Sequence, residues 1–225
     1  MSLAGRGAVA IWHDIAPEGR DAFYAWHGAE HMPERASIPG FLRGRRYVAI
    51  SGAPEFFNLY ETTTTAVLSG RDYLDRLDHP TPWTVATVRH FRGVARSLCE
   101  VARSCGAGEG GLIATFRYDV ADARDGEHRA SMIGALDALE AAPGIAGAHL
   151  LVADEAASSI ETAEKKARGT ATAIPRWIVL VEGWGDASAF EAQVRAFAGG
   201  AAFRDASVPP DLAVYRLQNA RSASR

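Results

Sequence analysis

The sequence predicts an α+β fold made of two tandem βαββαβ units, and three observations carry that prediction. Segments rich in β-branched and aromatic residues take turns with segments of helical periodicity, in the order strand, helix, strand, strand, helix, strand. The order recurs at an offset of about 104 residues, so that Ala8 answers to Leu112, Pro39 to Pro143 and Gly40 to Gly144. Between the copies lies Cys105 to Gly111, CGAGEGG, which is glycine-rich and nearly free of side chains that could anchor a core. Residues 1–104 and 112–219 are therefore the expected units, 105–111 the linker and 220–225 a disordered tail.

Each element has its own signal. Ala8 to Asp14, AVAIWHD, alternates as a strand does, and Pro17 and Glu18 then open a helix running to about Ser37. Pro39-Gly40 stops that helix, and strands are expected at Phe41 to Ile50 and Phe56 to Thr62, split by a turn at Ser51 to Pro54. Helical sequence follows from about Thr65 to Leu77 and again up to about Phe91, with a last strand around Arg96 to Ala102. The second copy repeats the order with strand Leu112 to Tyr118, helix Asp122 to Ala142, strand Trp177 to Glu182, helix Ala187 to Ala198 and strand Leu212 to Leu217. The halves diverge at Ala153 to Ala173, a longer, polar stretch that reads as a mobile surface loop.

This is the split βαβ arrangement of ferredoxin-like units. Helices cover one sheet face of each unit, and both faces of the strands are apolar. The two sheets are therefore expected face to face, forming inside one chain the pseudo-dimeric α+β barrel that other chains form by dimerising.

Composition removes several functions. With 48% apolar and 23% charged residues the chain is an ordinary globular protein, and a formal net charge of −3 offers no global positive field to nucleic acid. No uncharged run approaches the ~20 residues of a membrane span, so no membrane partner and a cytoplasmic location are expected. Cys99 and Cys105, the two cysteines of the chain, are too few for a zinc finger or ribbon. No GxGxxG, GxxxxGK[ST] or GxSxG occurs, which leaves nucleotide-dependent and serine-hydrolase chemistry without support.

The densest chemistry lies in Trp26 to Phe41, WHGAEHMPERASIPGF. At ~100° per residue Ala25, Gly28, Ala29, Met32 and Ala36 share one helix face, taken as the core face. His27, Glu30 and Glu34 then fall on the opposite, solvated side, with His31 and Arg35 on the flank. His31 is the candidate for proton transfer, because imidazole titrates near neutral pH. His27-x-x-Glu30-His31 also spells the HxxEH zinc pattern, so a metal held by His27 and His31 is the minor alternative to no metal at all. His13, Arg46, Tyr60 and Glu61 lie on strands whose alternate residues face the barrel interior, where they can line a pocket. Trp83, among prolines, serves as a pocket wall or as a lid over the core.

His31 followed by Pro33, then Ile38-Pro39-Gly40-Phe41 opening the second strand, all within the βαββαβ order, resembles the dimeric α+β-barrel superfamily and, within it, EthD-like proteins. The second half matches in element order and in its Pro-Gly but has Ala135 in place of His31. The resemblance implies small-molecule chemistry, since such barrels include oxygenases without cofactors, isomerases, dehydratases and haem enzymes; an acid-base reaction is expected here, with His31 moving a proton and Arg35 or Arg46 clamping an anion. Arg46, Tyr60, Trp83 and His13 would contact the substrate, and no cofactor is expected. A small-molecule ligand is the expected partner; a further homodimer stays open. So does a binding or structural module without chemistry, since no nucleophile with an obvious base is present.

Overall fold

The computed structural model describes residues 3–223. Eight strands close into one antiparallel barrel. They are β1 (Gly7–Ile15), β2 (Phe41–Ser51), β3 (Phe56–Thr62), β4 (Phe91–Cys105), β5 (Leu112–Tyr118), β6 (Ile145–Ala153), β7 (Trp177–Gly183) and β8 (Asp211–Ser222). Around the barrel the order is β1-β3-β2-β8-β5-β7-β6-β4, so each half contributes four neighbouring strands in the same internal order. The sheets are not merely stacked face to face, as the apolar alternation had suggested. They are hydrogen-bonded edge to edge, β2 to β8 and β4 to β6.

Those two seams explain why β4 and β8 outrun their expected lengths. A closed barrel leaves no free strand edge, and the extra residues supply the closing ladders. Residues 220–222, expected in a disordered tail, pair as Arg45↔Ala220, Gly44↔Arg221 and Arg43↔Ser222; residues 224–225 lie outside the described residues.

Strand alternation divides the core. From β1, Ala8, Ala10 and Trp12 enter the barrel with Tyr47, Phe57 and Leu59, while Val9 and Ile15 face the helices. Trp12 is fully buried, stacks on Phe57 at 4.9 Å and donates to Thr115 across the barrel at 3.1 Å. Near the strand ends the interior turns ionic: Arg43 donates twice to Glu61 at 2.8 Å, and Arg45 grips both oxygens of Glu182 at 2.9 and 3.0 Å. The backbone N–H of Gly110, in the linker, donates to Glu182 and that of Ala4 to Glu61. Burial alone would raise the Glu182 carboxyl, but His149 and Arg45 outweigh it and hold the group at about 2.

Outside the barrel, α1 (Arg20–Trp26) and α2 (Met32–Ala36) are joined by a wide turn over His27–His31. They cover the first half with α3 (Arg71–Asp78) and α4 (Pro82–Val88). In the second half α5 (Asp125–Glu140) and α8 (Ala187–Ala198) cover a wholly apolar sheet face that includes Phe116, Val179 and Val181. The repeated Pro-Gly ends the leading helix in each half, with glycines at φ +89° and +82°, a turn that other residues resist.

The stretch from Ala153 to Ala173 is not a mobile loop. It folds into α6 (Glu155–Ser159) and α7 (Ala163–Arg168), capped by the Asp154 and Thr162 side chains. Ser158 accepts the Leu98 N–H at 2.9 Å, Ala173 exchanges backbone bonds with Val94 and Arg96, and Asp78 accepts from Ala163. These bonds fasten a segment of the second half onto the first.

Candidate functional site

The site begins with a helix that cannot stay regular. Pro33 has no N–H to give, and in an unbroken helix its ring would collide with the carbonyl of Ala29. The chain answers by widening: the Met32 N–H reaches the carbonyl of His27, five residues back. Such wide turns recur at functional sites, and the geometry here shows what this one does. Residues four apart in an α-helix drift by ~40° around the axis; the wide turn takes out that drift, so Phe23, His27, His31 and Arg35 are all buried along one line. The expected core face was therefore wrong. Of Ala25, Gly28, Ala29, Met32 and Ala36, Met32 alone is buried, because the sequence periodicity assumed a regular helix.

Between this helix face and the outer face of the first-half sheet lies a cavity walled by Trp26, His27, His31, Asn58, Tyr60 and Phe91, among others. It is not inside the barrel, where the alternation argument had sought it. His13, Asn58, Tyr60 and Arg46 all sit on the helix side of their strands, whereas Glu61 points inward to Arg43 and Arg45. About 40 Å³ is open to the centre of a water molecule, room for about three waters, within about 590 Å³ of gap that runs out to the mouth.

Hydrogen bonds fix the state of His27. Arg46 can only donate, and its Nη1 lies 3.2 Å from His27 Nδ1, so Nδ1 accepts and the proton sits on Nε2. Nε2 then donates to the Tyr60 hydroxyl at 3.2 Å. Tyr60 must turn its own proton elsewhere, and the cavity it lines is the open direction. Arg46 thus stands behind His27 and not against a ligand; its guanidinium also lies over the Tyr24 ring at 4.9 Å. His13 stands behind as well, fully buried among Phe23, Phe56 and Phe91. It holds Asn58 at 2.9 Å, and burial pushes its imidazole down to about 3.

His31 does face the cavity. Its ring packs on Trp26 at 4.3 Å, and its Nδ1 is buried without a hydrogen-bond partner. Burial, then the nearby Arg35, His27 and His13, push it well below the usual histidine range, so the ring is neutral at neutral pH. Asn58 Oδ1 is a second unpartnered atom on the same wall. Asn58 escaped the sequence reasoning, although a lone amide on the helix-facing line between Phe56 and Tyr60, in the buried strand FFNLYET, was a readable signal.

The mouth is cationic. Arg35 is buried, its guanidinium 5.6 Å from the Tyr73 ring centre, and its Nη2 donates to Glu164 of α7 at 2.5 Å. Arg96 donates to Tyr73 at 2.8 Å, and Arg168 donates to Thr172 while its Nε finds no partner. Glu164 and Arg168 come from the segment first read as a loop; nothing in its composition pointed at the other half of the chain.

Two expectations fail here. Trp83 is 40% exposed on α4 and is not in the cavity wall. The HxxEH pattern does not assemble: Glu30 turns away to accept from Trp26, Thr81 and Thr84, and both His27 nitrogens are engaged by Arg46 and Tyr60. Among the described residues no three His, Cys, Asp or Glu side chains are gathered as a metal would need.

No protein-family model matches the sequence, and no curated protein does. Solved structures do match. An anthrone oxidase-like protein superposes with a TM-score of 0.68 at 14% identity, covering 100% of this chain and 97% of the other. The chain has the α+β-barrel fold. A heme-binding protein from Thermus thermophilus matches with a TM-score of 0.52 at 12% identity, covering 97% of this chain and 93% of that one. A mutant chlorite dismutase from Candidatus Nitrospira defluvii gives 0.53 at 10% identity, with the same coverage. These neighbours share this chain's fold.

The neighbours correct one expectation. A cofactor was not foreseen, yet the fold also serves a heme-binding protein, so freedom from cofactors does not follow from this architecture. The donor set in this chain is not foreign to haem, since His31 offers an imidazole nitrogen and the arginines could meet carboxylates. Space is what fails in the closed cavity, which as it stands does not admit a macrocycle.

Proposed function

We propose that the chain is a small-molecule enzyme of EthD-like type that moves a proton on a planar, acidic substrate, with His31 as the base. One observation carries this: the neutral imidazole of His31 lines an aromatic cavity beside a tyrosine hydroxyl whose proton is free to turn inward. The unprotonated ring nitrogen of the neutral His31 takes a proton from an acidic C–H or O–H. The electron pair left behind moves onto the substrate oxygen, where Tyr60 donates a hydrogen bond and Arg35 supplies opposite charge. Such a charge also offsets the field of Arg35, which otherwise depresses His31. Arg46 and His13 are positioning residues, fixing His27 and Asn58.

The anthrone oxidase-like neighbour suggests a test substrate, since the methylene of anthrone is acidic and flanked by aromatic rings. Under anaerobic conditions in D2O, wild-type protein should speed deuterium uptake at that methylene, followed by NMR. His31→Ala should return the rate to background, and Tyr60→Phe should lower it about 10- to 100-fold. Equal rates in wild type and His31→Ala would refute the assignment.

We infer further that the chain is a tandem of ferredoxin-like units, 1–104 and 112–219, joined by 105–111, with the catalytic apparatus kept in the first. The repeated strand order and Pro-Gly turns support this. So does the inward face of α5, where Met132 and Leu136 follow the buried His128 and stand where the first half has His27 and His31.

A further inference from the structure

The geometry points to an anion subsite at the cavity mouth, formed by Arg35, Arg96 and Arg168 and occupied in the free chain by the protein's own Glu164, which a small planar carboxylate or phenolate displaces on entry. This rests on the cavity being the substrate site, as proposed above, and adds what holds it shut and which ligands open it.

Charge is the first argument. Three guanidiniums line the cavity against one carboxylate, Glu164, and among the described residues neither Arg96 nor Arg168 has an ion-pair partner within 4.0 Å. Both are half-buried, so a ligand anion entering beside them gains partners that bulk water does not fully replace. The Arg35 side chain is 4% exposed, and its Nη1 makes no hydrogen bond, its nearer carboxylate there being Glu34 at 3.7 Å. Burial also disfavours the charged form of Arg168.

Space is the second argument. The cavity as closed holds only about three waters, so a planar ligand enters only if a wall retreats. The sheet and the α1–α2 helix are fastened by core packing, whereas α7 is a short helix that packs on α3 and α4 and reaches the buried part of the site through Glu164 and Arg168. Moving α7 outward breaks the Arg35–Glu164 pair, and a ligand carrying its own negative charge restores it. Neutral ligands of the same shape leave Arg35 with the longer Glu34 contact at 3.7 Å in place of the Glu164 pair. Glu164 is thus a selectivity device: it excludes neutral aromatics at the cost of weakening acids by competition.

The test is calorimetric titration of 2-naphthoate and its neutral counterpart 2-naphthamide into wild type, Glu164→Gln and Arg168→Gln, each first checked for an unchanged melting profile. Glu164→Ala stands in if the glutamine variant is unstable. Removing the internal competitor should tighten 2-naphthoate about tenfold, and losing Arg168 should weaken it about tenfold, as charge-assisted hydrogen bonds imply. 2-Naphthamide, which also has to break the Arg35–Glu164 pair, should gain in Glu164→Gln as well and stay within about threefold in Arg168→Gln. Unchanged or weaker naphthoate binding in Glu164→Gln overturns the inference, as does an equal loss of naphthoate and naphthamide in Arg168→Gln, which would make Arg168 a packing residue and not an anion contact. Naphthamide bound with naphthoate rejected by every variant overturns the subsite alone and leaves proton transfer by His31 standing. The predicted naphthoate pattern alongside anthrone exchange insensitive to His31→Ala separates the two claims the other way.

Discussion

Acidification should unfold this protein well before its carboxylates titrate, because buried neutral histidines hold the site together. Burial pushes His13 down to about 3, and puts His27 and His31 well below 6.5, with Arg46 acting next on His27 and Arg35 on His31. Below pH 6.5 the unfolded chain binds protons that the folded chain refuses, so stability is full above 6.5 and is lost as pH falls, for His13 down to about 3. At pH 5 His13 alone costs about 2 kcal/mol, and His27 and His31 add to that in the same direction. His128, lowered first by burial, adds in the same direction. Against a typical stability of ~5–15 kcal/mol, that loss is decisive. Glu182, held at about 2, stays charged in this window and contributes nothing to the slope; its share is lost only below about pH 4.5. Urea unfolding at half-unit steps from pH 7.5 to 4.5 measures the effect, and His13→Phe, which suits the ring cage of Phe23, Phe56 and Phe91, should remove the His13 share of about 2 kcal/mol. A loss under about 2 kcal/mol between pH 7 and 5 would mean that the rings take up protons in the folded state, refuting the dry, closed site.

Three other outcomes follow from the same geometry. Glu182→Gln leaves Arg45 short of a charge inside the barrel and should cost about 3–5 kcal/mol by urea unfolding, with Arg45→Met/Glu182→Leu losing less than the sum of the single changes. Deleting Gly28, where an added side-chain carbon would meet open space, shortens the wide turn to a regular one; far-UV circular dichroism should persist while 2-naphthoate binding is lost. Trp83→Ala should change neither naphthoate binding nor stability beyond about 1 kcal/mol, since the ring is 40% exposed.

The fold was legible in the sequence because period-2 and helical patterns, the Pro-Gly stops and the glycine linker are local signals that agree across both halves. Closure was less legible: the extra residues of β4 and β8 take their strand form from partners in the other half, so no local pattern at Arg103 or Ala220 announces them. At the site, His31 and Arg35 were found from their density of charge, but their neighbours were misplaced by a single cause. Pro33 was read as part of a continuous helix and not as the source of a wide turn, which sent His27 to solvent when it is buried against Tyr60. Glu164 and Arg168 sit about 130 residues from Arg35 in sequence, and only the folded chain brings them to it. The ionic cluster around Arg45 and Glu182 was hidden for the same reason, as each charge alone resembles an ordinary strand residue.

The central claim is that His31 is a neutral base facing a ligand cavity, and NMR titration of its imidazole nitrogens tests it most directly. In free protein the His31 resonances should stay those of a neutral ring down to pH 5. Adding 2-naphthoate should shift them and move the titration upward, as an anion beside Arg35 offsets that cation's field. A His31 that titrates near 6.5 in the free protein, and whose resonances ignore the ligand, would contradict the account.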